Sequence, residues 1–475
     1  MKTPYILSLI ISFFILQMQT RAQSYFQKTY PMSNDQEGQD VLPTSDGGYL
    51  IAGYTNTSIL YDCDLLIIKT DAVGNKLWSK TYGGNKPDFP YHMLATNDGN
   101  YFLIGYSQSY GGGDMDILLQ KIDPSGNQIW LKTYGGSGND YARDVTATAD
   151  GNYMIVGSSN SQSTTGQNAN LIKIDPSGNV IWNKTYGGSA NDHGCIVKQC
   201  SDGGYIMLGQ TYSYGIGNGD AWLVKMNSNG DTTWTKTFGG SQNDEGVSLA
   251  VNSDDSFTFL IRDSSTAGKD IDIRVVKTSS TGNVMWNKVY GGSQKDTPKM
   301  IQHTSDGGYV IAGISRSFGW INPDMYVLKL TNSGDTTWTR HFGGANHEHC
   351  YAVRELSDGS YIAVGKSASY GPDIDPILLK INSNGLLSVG LTEYASLSSA
   401  IQLYPNPNKG ELNLDLSNFK ATKITVLNTL GEMVYSKNIE NEQKINIKLP
   451  DQKTGLYFIR TESETHSVTN KFIIN

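Results

Sequence analysis

Seven histidines and four cysteines among 475 residues leave few places for acid–base or metal chemistry. The densest cluster is His347-Glu348-His349, with His341 close by. Two imidazoles two positions apart on a loop can ligate a metal, but no third ligand stands at a suitable spacing. Asp40, His92 and Asp144 are each 52 residues apart. A structure repeating at that interval would bring them together in neighbouring units, near the mouth of a central channel. The plainer reading is the polar lining of a solvated channel.

Carboxylates recur at Asp88, Asp140, Asp192, Asp244, Asp296 and Glu348. With backbone oxygens they could hold Ca²⁺, and more simply they cap a local chain turn. Asp46, Asp98, Asp150, Asp202, Asp254, Asp306 and Asp358 fill another slot, nearly always before Gly, which is turn chemistry. Lys69, Lys121, Lys173, Lys225, Lys277, Lys329 and Lys380 form a further set. An Asp five residues earlier accompanies most of them (Asp64, Asp116, Asp220, Asp272, Asp324, Asp375), and in-unit or unit-to-unit pairing is expected. Cys63, Cys195, Cys200 and Cys350 lack metal-type spacing. Cys195 and Cys200 fall on opposite faces of one predicted strand and should not pair with each other. No Ser/His/Asp order, nucleotide-type Gly loop or metalloprotease helix is present, so no catalytic residue and no cofactor is assigned.

The elements that must position these groups follow from one period. Trp78, Trp130, Trp182, Trp234, Trp286 and Trp338 are 52 residues apart, and one step back lands on Phe26. Tyr49, Tyr101, Tyr153, Tyr205, Phe257, Tyr309 and Tyr361 keep the same interval. Each unit holds four short β-branched or aromatic runs bounded by Gly and Asp/Asn turns. Residues 144–186 illustrate this, with runs at Asp144–Thr148, Tyr153–Gly157, Leu171–Asp175 and Ile181–Tyr186. Four strands in each of seven units predict an all-β fold, a seven-bladed β-propeller over residues 23–389.

The tight Asp-x-x-Gly-Asn turn places the last two runs of a unit in one hairpin. Asp71, Gly74 and Trp78, and again Asp123, Gly126 and Trp130, resemble the tryptophan-docking motif of quinoprotein-type propellers. That resemblance makes the Trp strand outermost and carries no quinone with it, because the adjacent cysteines and metal ligands are missing. The whole unit is more similar to repeats of secreted bacterial propellers. In this phase the last blade lacks a Trp strand, since Leu387–Leu391 has lost Trp, Lys and Tyr. The orphan copy at residues 25–30 is expected to complete that blade and close the ring.

Strand direction sends the short, uniform turns to one face and the long, variable loops to the other, where binding is expected. That face carries aromatics at a fixed slot, Tyr110, Tyr214, Phe318 and Tyr370, with Trp320 nearby. Exposed aromatics can stack on sugar rings or anchor a protein, or simply pack over their own blades.

Composition narrows the partners. Net charge is −8 and no basic run occurs, which argues against nucleic acid. Residues 1–22 have the pattern of a secretory signal: Lys2, an apolar run over Tyr5–Leu16, and Thr20-Arg21-Ala22 as cleavage site. No Cys follows to take a lipid, and no later stretch is long and apolar enough for a transmembrane segment.

After a linker at 390–399 the repeat gives way to a different module at 400–475. Short alternating runs predict a small antiparallel β-sandwich. Tyr404-Pro405-Asn406-Pro407, Leu430-Gly431-Glu432, Gly455-Leu456-Tyr457-Phe458 and Lys471-Phe472-Ile473-Ile474 appear in that order. This order resembles the type A C-terminal sorting domain of the type IX secretion system. The resemblance implies engagement of that machinery, passage through the periplasm and outer membrane of a Bacteroidetes-type bacterium, and removal of the tail. The combined expectation is a secreted or surface-displayed, non-catalytic binding or adhesion module for glycan or protein. A hydrolase or lyase working at the channel mouth and a structural surface component are the alternatives.

Overall fold

Runs of seven or eight residues rich in Val, Ile, Leu and Tyr, each cut by Asp-Gly or Gly-Asn, can form little except short antiparallel strands. The computed structural model describes residues 25–56, 63–161, 166–264, 271–318, 322–387, 401–417, 421–428, 433–440, 442–449, 452–462 and 467–475. Among these there is no helix. The chain divides into two units, one ending at Ser388 and one beginning at Val389.

The first unit is a propeller of seven four-stranded antiparallel sheets. Blade 1 comprises Gln36–Pro43, Tyr49–Asn56, Cys63–Thr70 and Lys76–Tyr82. Blades 2 to 6 repeat that order and begin at Asp88, Asp140, Asp192, Glu245 and Asp296. Within each blade the second and third strands are almost wholly buried, while the outermost is half-buried or exposed along most of its length. Stacked blades bury both faces of the middle strands, which therefore read as continuous apolar runs.

Blade 7 draws on both ends of the unit. Glu348–Glu355, Tyr361–Ser367 and Asp375–Ile381 supply three strands, and Phe26–Thr29 supplies the outermost. Phe26 stands opposite Lys380 and Thr29 opposite Ile377. The rival strand at 387–391 lies almost entirely outside the described residues, and the edge it would need is occupied.

The period has a direct packing cause. Each Trp reaches across to the Gly of the third turn in the next blade. A methyl group on Gly126 would lie 2.6 Å from Cη2 of Trp78, and φ there is +75°. Only Gly meets both conditions. Phe26 takes the same place against Gly74, where a Cβ would come within 2.5 Å of its ring. A tyrosine reinforces five of the seven contacts, as Tyr134 Oη donates to Gly178 O at 2.8 Å and Tyr186 Oη to Gly230 O at 2.6 Å, while Phe238 and Phe342 fill that slot in the other two.

The repeated lysines pair differently from the expectation. Lys69 meets Asp46 at 2.8 Å, Lys121 meets Asp98 at 2.6 Å and Lys173 meets Asp150 at 2.7 Å. Lys225, Lys329 and Lys380 likewise pair with Asp202, Asp306 and Asp358. The partner is the turn aspartate of the same blade, not the Asp five residues earlier. Positions i and i+5 point to opposite faces of a strand and lie roughly 17 Å apart. Asp116 and Asp220 instead accept loop amides, from Gly113 and Ile216.

The second unit is a two-sheet β-sandwich. Gln402–Tyr404, Glu411–Asp415 and Lys444–Lys448 form one sheet. Met433–Asn438, Lys423–Leu427, Gly455–Glu462 and Ser467–Ile474 form the other. Alternate residues (Leu412, Leu414, Ile445 and Ile447 against Ile424, Val426, Ile459 and Phe472) fill the space between them. The opening motif clasps the last strand, with Asn408 N donating to Ile473 O and Ile473 N to Asn406 Oδ1, both at 2.9 Å.

Candidate functional site

The first strands of all seven blades surround a cavity of about 560 Å³ on the propeller axis. Every one of these strands carries a register shift at the same slot, between Gly38 and Asp40 in blade 1 and between Ala142 and Asp144 in blade 3. The other five blades repeat it. In six blades a Gly faces the bulge. A Cβ on Gly53 would stand 1.8 Å from the carbonyl oxygen of Glu37. A bulge re-aims side chains. Here the inserted residue (Gln39, Tyr91, Arg143, Cys195, Val247, Lys299 or Tyr351) and its successor both line the cavity.

The successors build one tier. His92 Nε2 lies 3.4 Å from Asp40 Oδ2, and Nδ1 lies 2.8 Å from Asp144 Oδ1, a close contact without hydrogen-bond alignment. Arg354 reaches Asp40 at 2.9 Å and Lys198 reaches Asp144 at 3.4 Å. Arg354, Asp40, His92, Asp144 and Lys198 therefore run as a belt of alternating basic and acidic side chains through blades 7, 1, 2, 3 and 4. Burial pushes the Asp144 carboxyl up, but Lys198 and His92 outweigh it and hold the group down at about 2. The Asp40–His92–Asp144 convergence is present, and both imidazole nitrogens face carboxylates.

The inserted residues, with their neighbours on the long-loop side, build a second tier. Phe89 lies 4.6 Å from Tyr54, 5.0 Å from Tyr91 and 5.8 Å from Tyr106, ring centre to ring centre. The Arg143 guanidinium sits 5.0 Å from the Tyr91 ring and 5.8 Å from that of Tyr141. Across the channel Lys299 lies 5.2 Å from the Tyr351 ring. Tyr351 and Lys366 both bond Glu37, at 2.8 and 2.6 Å, and Arg262 pairs with Glu245 at 2.9 Å. Burial, then Arg262, lower Lys299 to about 8. Burial, then Lys366 and Lys299, take His349 to about 3, so it is neutral. Burial raises the Cys195 thiol to about 12, which leaves it unreactive near neutral pH.

The residues singled out on the long-loop face are distributed around it. Tyr110, Tyr214 and Tyr370 each donate to the carbonyl that ends the preceding blade, Gly83, Gly187 and Gly343, at 2.7, 2.9 and 2.8 Å. These three residues stay 38%, 48% and 45% exposed. Phe318 packs 5.3 Å from His341 and 6.0 Å from Tyr326, and Trp320 lies outside the described residues.

The metal candidates do not assemble. All six interblade carboxylates, Asp88 through Glu348, accept a Gly amide of their own link at 2.8–2.9 Å. His341 stacks on Tyr326, while His349 lies 3.1 Å from the Tyr351 hydroxyl. Alternation along a strand separates His349 from Glu348, which is buried against Ser367. Among the described residues no three His, Cys, Asp or Glu side chains gather as a metal would require. Among the described residues none of the four cysteines is in a disulfide.

Sequence reasoning located Asp40, His92 and Asp144 but missed the aromatic tier. Phe89, Arg143 and Lys299 each occur once in their slot, and Tyr91 and Tyr106 recur there only as Tyr351 and Tyr54, so a search for residues repeated in every blade passes over them. Their signal was departure from the repeat on the innermost strand.

Residues 402–475 match the secretion system C-terminal sorting domain. That domain directs the chain through the type IX system to the cell surface or beyond. A stretch of 221 residues, 44% of the chain, is 26% identical to the ulvan lyase NLR42 of Nonlabens ulvanivorans and spans 40% of that protein. Another of 216 residues, 38% of the chain, is 22% identical to the regulatory protein FlaEY of Caulobacter vibrioides and spans 23% of it. The chain thus covers less than half the length of either relative. Among solved structures, the Pan2 WD40 domain of Neurospora crassa aligns with a TM-score of 0.46 at 9% identity, over 75% of this chain and 95% of that one.

Proposed function

We propose that the exported propeller is a non-catalytic glycan-binding module, and that the ligand enters at the long-loop end of the central channel. The observation that carries this reading is the contiguous platform of Tyr54, Phe89, Tyr91 and Tyr106, half-buried and adjoining a cavity of about 560 Å³. Aromatic rings supply broad, rigid contact surface at little entropic cost, which suits the apolar faces of sugar rings. Tyr110, Tyr214, Phe318 and Tyr370 are outer contacts for a longer chain on the same face.

A lyase or hydrolase at the channel mouth is the second reading, favoured by the partial similarity to the ulvan lyase. Against it, the His92 nitrogens both face carboxylates and the Cys195 thiol is kept protonated. A general base needs a free nitrogen within reach of substrate. Screening the purified full chain on a glycan array tests the proposal. Saturable binding lost in Tyr91→Ala and weakened in Tyr214→Ala is expected. Absence of binding, or release of unsaturated or reducing sugar ends, would overturn it.

A further inference from the structure

The chain carries a net charge of −8, yet its axial cavity is lined by four cations and only two carboxylates. These are Arg143, Lys198, Lys299 and Arg354 against Asp40 and Asp144. Both carboxylates are engaged, by Arg354 and Lys198. On the long-loop side, Arg262 and Lys366 are engaged by Glu245 and Glu37. Of these six channel cations, Arg143 and Lys299 have no ion pair among the described residues, and each is set over a tyrosine ring. They belong to blades 3 and 6, three steps apart in a ring of seven, and so face each other across the channel.

Two cations held apart on opposite low-dielectric walls repel one another and focus positive potential at the mouth. Burial lowers the proton affinity of Lys299, Arg262 and Arg143 lower it further, and Glu245 and Glu37 work against them without cancelling the effect. An anion between them relieves that repulsion, and the adjoining rings offer a stacking surface for the group that carries it.

We infer that the channel mouth selects anionic polysaccharides, with a sugar-borne carboxylate or sulfate received between Arg143 and Lys299 while neighbouring residues stack on the Phe89–Tyr91 platform. This rests on the glycan-binding reading and specifies its ligand class.

The test is calorimetric titration of the full chain with four probes: oligogalacturonate, its methyl ester, a sulfated oligosaccharide and polyglutamate. The acidic sugars should bind at least roughly 10-fold more tightly than the ester. The preference should shrink in Arg143→Gln and Lys299→Met, whose melting temperatures report folding. Affinity of the unmodified chain should also fall as salt rises from 50 to 500 mM, a readout independent of any variant. Preference between the carboxylated and sulfated probes identifies the anion. Equal binding of acid and ester, or salt-independent affinity, would overturn the inference and leave glycan binding standing. Polyglutamate binding as tightly as the sugars would overturn it in favour of an acidic protein partner. Failure of every glycan would remove the underlying reading itself.

Discussion

The Tyr30 hydroxyl donates to the Gly74 carbonyl at 2.9 Å, across the seam where the two ends of the propeller meet. The separation is 44 residues, the same as for Tyr82 with Gly126, Tyr134 with Gly178 and Tyr290 with Gly334. The seam is thus chemically a repeat of the other interfaces, built from a strand contributed by the other end of the unit. Phe26→Ala should cost about 3–5 kcal/mol, the loss expected for a buried aromatic. Tyr30→Phe should cost about 1 kcal/mol for one hydrogen bond. Urea unfolding of both variants checks this. Equal stability of Phe26→Ala and the parent would mean that the seam contributes nothing to holding the ring closed.

Docking of each Trp on a glycine gives a controlled comparison. Gly99 and Gly126 have nearly the same backbone, φ +80° and +75°, but a Cβ on Gly99 meets nothing within 4 Å while one on Gly126 meets Trp78. Both alanine variants bear the left-handed strain of about 1–2 kcal/mol. Only Gly126→Ala adds the displacement of an indole, about 1–3 kcal/mol more. Thermal melts should rank Gly126→Ala well below Gly99→Ala. Identical melting temperatures would show that the indole shifts freely and that docking does not set the period.

The architecture was legible because its cause is local and repeated. One Trp or Phe, one Gly and one Tyr or Phe per 52 residues encode an interface, and seven copies make the pattern stand out of a single sequence. The lysine partners were not legible, since spacing along a strand does not reveal which turn lies beside the ammonium. The channel tier was hidden for a further reason. The bulge at Gly38 and Asp40 adds a cavity-facing residue that simple alternation would assign elsewhere. Tyr91, Arg143 and Lys299 acquire meaning only once seven inner strands are brought around one axis.

Export depends on a unit with its own core. Leu412, Leu414, Ile447, Ile459 and Phe472 are fully or almost fully buried within the sandwich, in a core cluster drawn from residues 401–474. Deleting residues 402–475 should therefore leave a folded propeller that fails to reach the cell exterior. Cell fractionation and limited proteolysis measure the two halves of that statement. Truncated protein accumulating outside the cell would contradict the role of the sorting domain. Degradation instead of periplasmic retention would contradict the independence of the propeller.

Acid should loosen the belt through Asp144. Its folded carboxyl titrates near 2, below the unfolded value near 4, so its contribution to stability is present above pH 4 and is lost as pH falls through 2. A difference of that size corresponds to about 2 kcal/mol. Asp144→Asn removes the titration and leaves Lys198 and His92 facing a neutral amide. At pH 7 the variant should be less stable than the parent by about that amount or more. The gap should close as both are unfolded at successively lower pH. Exposed turn aspartates such as Asp306, also held down at about 2 after Lys329 and Thr304 outweigh burial, titrate equally in both proteins and cancel in the comparison. Urea midpoints at pH 7, 4, 3 and 2 trace the difference. A gap that stayed constant across this range would mean that Asp144 contributes packing rather than charge, and the belt would then be an arrangement of polar groups without electrostatic coupling.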